Sequence, residues 1–137
     1  MSRVQKACPV VFRMLDRGPE VLAFERPSAG KQFVKGTIEA GEKPIDAAKR
    51  ELREESGLVV NSPMTSLGVC EIGTSRQRWH FFRWQGLSLP DTWQHETTDD
   101  HGHTFSFFWH PIDVPLDQYC HSIFEEACEF FAPRLLR

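Results

Sequence analysis

The chain has 137 residues, 40% of them hydrophobic and 12% aromatic, which suits one domain over residues 1–137 with a real core and leaves little room for a second. Its formal charge of -3 argues against a general nucleic-acid binder, which would carry a basic stripe, and no segment approaches the roughly 20 apolar residues a membrane span needs. The opening apolar run is too short for a secretory signal, and Cys8, Cys70, Cys120 and Cys128 show no paired short spacing, so reduced thiols and a cytoplasmic location are expected.

In chain order, Ala7 to Met14 is apolar and rich in β-branched types, and so is Glu20 to Glu25. Asp16-Arg17-Gly18-Pro19 between them is turn chemistry, so the pattern predicts strand, turn and strand. Gln32 to Val34 reads as a short strand feeding a loop that holds Gly36 and Gly41. Pro44 and Gly57 then bracket a helix predicted over Pro44 to Ser56, in keeping with the usual asymmetry of helix ends. Ser66 to Gly73 and Arg78 to Trp84 read as strands joined by a turn at Thr74-Ser75. Leu87 to Gly102 is polar, and the pattern predicts a long functional surface loop there. Thr104 to His110 returns to strand composition. Asp117 is expected to cap a last helix with Ile123, Phe124, Ala127, Phe130 and Phe131 on one face, ended by Pro133. Strands mixed with one internal and one terminal helix predict an α/β sandwich around a mixed sheet.

The central helix carries the chemistry. At about 100° per residue, Glu51, Glu54 and Glu55 project within one arc, beside an apolar stripe of Ile45, Ala48 and Leu52. Such carboxylates repel one another, and Lys49, Arg50 and Arg53 are near enough to form ordinary surface ion pairs with them. Crowded oxygen ligands stay ionised around a hard divalent cation, which favours Mg2+ or Mn2+. A cation there would neutralise a diphosphate and lower the pKa of an attacking water, so hydrolysis of a phosphoanhydride is expected.

Gly36, Glu42, Arg50, Glu51, Glu54, Glu55 and Gly57, with apolar Leu52 and Leu58, stand at the spacing of the Nudix hydrolase signature; a chance match of the seven identities is on the order of one in a billion. The chain therefore resembles a Nudix hydrolase. The resemblance implies the Nudix α/β/α sandwich with a curved mixed sheet and a loop-helix-loop catalytic motif. It implies Glu51, Glu54, Glu55 and the Lys35 carbonyl as metal ligands, Glu42 as a water-mediated ligand or loop brace, and Arg50 as an orienting arginine. The general base comes in this family either from the helix, here Glu54 or Glu51, or from a distant loop, where Glu96 is the first choice beside Asp99 and Asp100.

Other residues carry two readings each. Arg26 is a phosphate contact or a strand-end charge. Arg78 and Trp79, with Arg76 and Phe81, form a phosphate-and-stacking wall or a strand buried on both faces. His95, His101 and His103 are solvated loop histidines or a second metal site. The leading expectation is a Mg2+-dependent pyrophosphatase for a nucleoside diphosphate joined to a further group, acting as monomer or homodimer on a small molecule. The rival readings are an RNA-end hydrolase of decapping type, a Nudix-fold isomerase and a nucleotide sensor without turnover.

Overall fold

A computed structural model of the chain describes residues 3–27, 29–98, 102–117 and 120–135. The first hairpin pairs β1 (Gln5–Leu15) with β2 (Gly18–Arg26), Phe12 opposite Val21 and Leu15 opposite Gly18. Its turn is shorter than the predicted one, because Gly18, at φ 123°, already opens the second strand. β3 (Gly30–Gln32) and β4 (Gly36–Thr37) are brief additions to β2 and β1. The ladder ends at Gln32, so Phe33 and Val34 of the expected strand lie beyond β3, each buried in a different core.

The predicted helix forms as α1 (Pro44–Ser56), with proline in its first turn and Gly57 in the left-handed region at φ 81° as its cap. β5 (Thr65–Ile72) and β6 (Gln77–Gln85) make a second hairpin. β6 then runs parallel to β1, from Gln5 opposite Arg78 to Phe12 opposite Gln85, which makes the sheet mixed. With β7 (Trp93–Glu96) and β8 (Thr104–Pro111) the strand order is β5-β6-β1-β2-β8-β7.

The structure corrects two expectations. Leu87 to Gly102 is not all loop: Trp93–Glu96 forms an edge strand on β8, Trp93 opposite Phe107 and His95 opposite Phe105. The last helix, α2 (Ser122–Phe131), starts later than expected, capped by His121, whose Nδ1 accepts from the Ile123 amide at 3.2 Å. Asp117 does not cap it. Its carboxylate pairs with Lys31 instead, and Cys120 forms an isolated bridge with Lys31 just before the helix. Pro133 falls in a following 3-10 turn, Ala132–Arg134.

Alternation along the strands divides the core in two. On one face Ala7, Val11, Phe24, Phe82 and Phe107 pack under Ala47, Ala48 and Leu52 of α1. On the other, Cys8, Val10, Val21, Trp79 and Phe81 pack under Phe124, Ala127 and Phe131 of α2. All four cysteines are free thiols, and burial pushes Cys8 far above its ordinary range.

Candidate active site

Gly36 begins the site. A Cβ built on it would lie 2.0 Å from Glu51 Cδ, so the Glu51 carboxylate occupies space that only glycine leaves open. The loop from Gly36 then returns its carbonyls and carboxylates to α1, where Arg50 collects them. Its Nε donates to Glu42 Oε2 at 2.8 Å and its Nη2 to Glu42 Oε1 at 3.0 Å, a two-pronged grip on one carboxylate. Nη1 donates to Glu51 Oε1 at 2.8 Å and to Glu54 Oε2 at 3.2 Å, and Nη2 also reaches the Thr37 carbonyl at 3.0 Å. Glu39, 3.9 Å from the guanidinium, lends its backbone amide to Glu42 at 3.1 Å. The Arg50 guanidinium and the Glu39 amide hold the Glu42 carboxyl down to about 2.

Deeper in the site the balance reverses. Burial, then the neighbouring Glu51 charge, pushes Glu55 up to about 8, against the pull of Lys35. Glu55 Oε2 is a buried side-chain oxygen with no hydrogen-bond partner. Burial also raises Glu51, though Arg50 opposes the rise. Lys6, whose Nζ reaches Thr37 Oγ1 at 2.8 Å, faces Glu51 and Glu55 electrostatically. Burial and Lys35 lower its pKa.

This donor set fits a hard cation. It offers oxygen ligands alone, leaves one buried carboxylate oxygen orphaned, and seats the Glu51 carboxylate in the space beside Gly36. The carboxylates gather on the Arg50 guanidinium, and among the described residues no group of three acidic, histidine or cysteine side chains is closed around a single ion-sized point.

The remaining candidates lie elsewhere. Arg26 is half-buried at the end of β2, its Nη2 3.1 Å from His103 Nε2, and does not join the Arg50 network. Arg78 is exposed on β6. Trp79 is 0% exposed, packed against Phe81 and Phe124, so its indole offers no face to a base and the stacking wall does not form. Glu96 is exposed at the end of β7, opposite Thr104. His95 and His103 are not brought to a common ligand: His95 contacts the backbone of α1 and His103 contacts Arg26. Asp99, Asp100 and His101 lie outside the described residues. Sequence reasoning missed Thr37, Lys6 and Trp93; only the alternation of Trp93 and His95 with Gln94 and Glu96 hinted at the strand that places the last of these.

On the α2 face a cavity of about 230 Å³ lies among Ala23, Lys31, Phe33, Phe108 and Leu116. Beside it a groove of about 630 Å³ is lined by Glu25, Lys31, Gln94, Ser106 and Phe108. Gln94, Ser106, Glu25 and Lys31 form one row across β7, β8, β2 and β3, since each is the register partner of the next.

Residues 5–124 match the NUDIX domain family, and the chain belongs to it. With the fold of that family and every signature carboxylate in place, it is a hydrolase by class. No curated protein matches the sequence. Among solved structures, the chain is similar to the NUDIX domain of Shewanella oneidensis NrtR complexed with ADP ribose, at TM-score 0.68 and 15% identity, over 98% of this chain and 90% of that one. It is similar to a MutT protein from Methanosarcina mazei Go1 at TM-score 0.65 and 12% identity, over 100% and 99% of the two chains. A C. elegans Ap4A hydrolase follows at TM-score 0.59 and 16% identity, over 96% and 98%. At these identities the likeness is one of fold.

Proposed function

We propose that the protein is a divalent-cation-dependent pyrophosphatase that hydrolyses a phosphoanhydride in a nucleoside diphosphate linked to a further group. The observation that carries this reading is the buried, partnerless Glu55 oxygen beside Glu51 and Glu54, a cluster whose charge calls for a cation. Glu51, Glu54, Glu55 and the Lys35 carbonyl would hold Mg2+ or Mn2+, with Glu42 bracing the loop through Arg50. Bound there, the cation would neutralise the diphosphate and acidify water. Glu54, the most exposed of these helix carboxylates at 37% of its side chain, is the base best placed to take a proton from solvent. Arg50 orients Glu42, Glu51 and Glu54 and does not itself contact substrate.

The α2-face groove is where the nucleoside would sit. Gln94, Ser106 and Glu25 supply an amide, a hydroxyl and a carboxylate in one row, and Phe108 supplies an apolar floor. Lys31 lines that groove and Lys35 precedes Gly36, and four residues of chain span no more than about 14 Å, a distance suited to a base at one end and a diphosphate at the other. ADP ribose in the NrtR complex and the dinucleoside polyphosphate named for the C. elegans hydrolase are ligands of this general form.

The test is a panel of nucleoside triphosphates, dinucleoside polyphosphates, nucleotide sugars and capped RNA, incubated with Mg2+ or Mn2+, with products identified by mass. Turnover of a nucleoside diphosphate derivative, reduced about a hundredfold or more in Glu54→Gln and Glu55→Gln with the fold retained, is the expected result. Undiminished turnover in both variants would reject the assigned site, and Mn2+ binding without turnover of any panel member would favour a sensor.

A further inference from the structure

The last carbonyls of a helix have no partner within it, and α1 ends where its carboxylates must be held most firmly. Arg53 O is taken by the Gly57 amide at 2.9 Å. Glu54 O accepts from His95 Nε2 at 3.1 Å, and Ser56 O accepts from Trp93 Nε1 at 3.1 Å. A carbonyl can only accept, so His95 carries its proton on Nε2. Nδ1 then faces Gly57, where an added Cβ would come within 3.0 Å of it. Both donors come from the edge strand β7 and point the same way, two residues apart. The strand itself is fixed by its ladder to β8, and the Trp93 ring stacks on Phe107 with centroids 5.0 Å apart and planes at 11°. Phe105, opposite His95, stacks in turn on Phe24 of β2 at 4.5 Å. The negative end of the helix dipole also favours these N–H donors.

We propose that Trp93 and His95 are positioning residues, a two-donor clamp that sets the last turn of α1 against the sheet and so fixes where Glu54 and Glu55 present their oxygens. The proposal rests on the cation site described above. The Arg50 network holds the carboxylate tips, while the clamp holds the backbone they spring from; a shift of about 1 Å in that backbone would misplace both ligands together. Trp93 and His95 thus act on the chemistry through the backbone of α1.

The experiment compares the parent with His95→Leu, His95→Gln and Trp93→Phe, the last of which keeps a ring for Phe107 but loses the N–H. A variant destabilised on the opposite face, Phe131→Leu, is the control for lost stability alone. Mn2+ affinity by electron paramagnetic resonance is read first, then kcat and KM on a substrate the parent hydrolyses, with Tm for each protein. His95→Leu and Trp93→Phe are expected to weaken Mn2+ binding and lower kcat by about three- to tenfold each, at the low end of outer-shell effects, with KM within about twofold. His95→Gln, which keeps a donor, returns to within about twofold of the parent, and Phe131→Leu leaves both readouts in place. Parent-like Mn2+ affinity and kcat in His95→Leu and Trp93→Phe, failure of glutamine to restore them, or an equal loss in the Phe131 control overturns the clamp. A parent that binds no Mn2+ overturns the cation site as well, which distinguishes the two failures.

Discussion

Arg50 and Glu55 put opposite pressures on one cluster of carboxylates. The guanidinium keeps Glu42 ionised, while burial and the charge of Glu51 push Glu55 towards the neutral acid. Because the folded-state value of Glu55 lies above its unfolded value, the cation-free protein binds an extra proton between about pH 4.5 and about pH 8, and its stability falls as pH rises through that window. The loss is on the order of a few kcal/mol, and a bound cation should remove it. We expect Glu55→Gln to flatten this slope and leave the cation-free protein at pH 8 at least as stable as the parent, measured by urea midpoints at pH 5 and pH 8 with chelator present. A parent midpoint that does not fall between those pH values would contradict the assignment. Gly36→Ala tests the cradle: its methyl would meet the Glu51 carboxyl at 2.0 Å, so Mn2+ affinity should drop tenfold or more, with an overpacking cost of about 1–3 kcal/mol in the same urea measurement.

At the scale of elements, α1 shows how much of the site was legible beforehand. Its span, its proline start and its glycine end are local properties, and the carboxylate arc follows from helical pitch. Leu52, 0% exposed on the stripe beside that arc, anchors the helix to the sheet, and Leu52→Ala should cost about 2–5 kcal/mol by urea unfolding. A cost under 1 kcal/mol would mean that α1 is held chiefly by its ends. β7 was hidden because Trp93–Glu96 is short, polar and flanked by loop residues, so its pairing energy comes from β8 and its own composition does not announce it. The start of α2 was misplaced for a similar reason. Asp117 is a good cap by type, but its carboxylate pairs with Lys31 and the cap falls to His121.

Across the whole molecule, β1 couples the two cores: Ala7 and Val11 face α1 while Cys8 and Val10 face α2. Unfolding should therefore be one transition, with tryptophan fluorescence and far-ultraviolet circular dichroism giving coincident midpoints in urea; separated midpoints would show that the faces melt independently. No helix among the described residues is long and apolar enough to cross a membrane. The groove of Glu25, Gln94 and Ser106 exists only because β7, β8 and β2 lie side by side, drawn from segments some seventy residues apart in sequence.

By itself the amino-acid order determined the strand-rich plan, the α1 helix and the carboxylates that make a phosphoanhydride hydrolase the natural reading, because helical pitch and turn chemistry act between near neighbours. The tertiary structure alone decided that Arg50 grips Glu42, that one oxygen of Glu55 is buried without a partner, that Trp79 belongs to the core and that Trp93 and His95 reach the end of α1. All but the first of these depend on which distant strand becomes a neighbour. Burial and hydrogen-bond partners are set by that choice, and no short-range pattern encodes it.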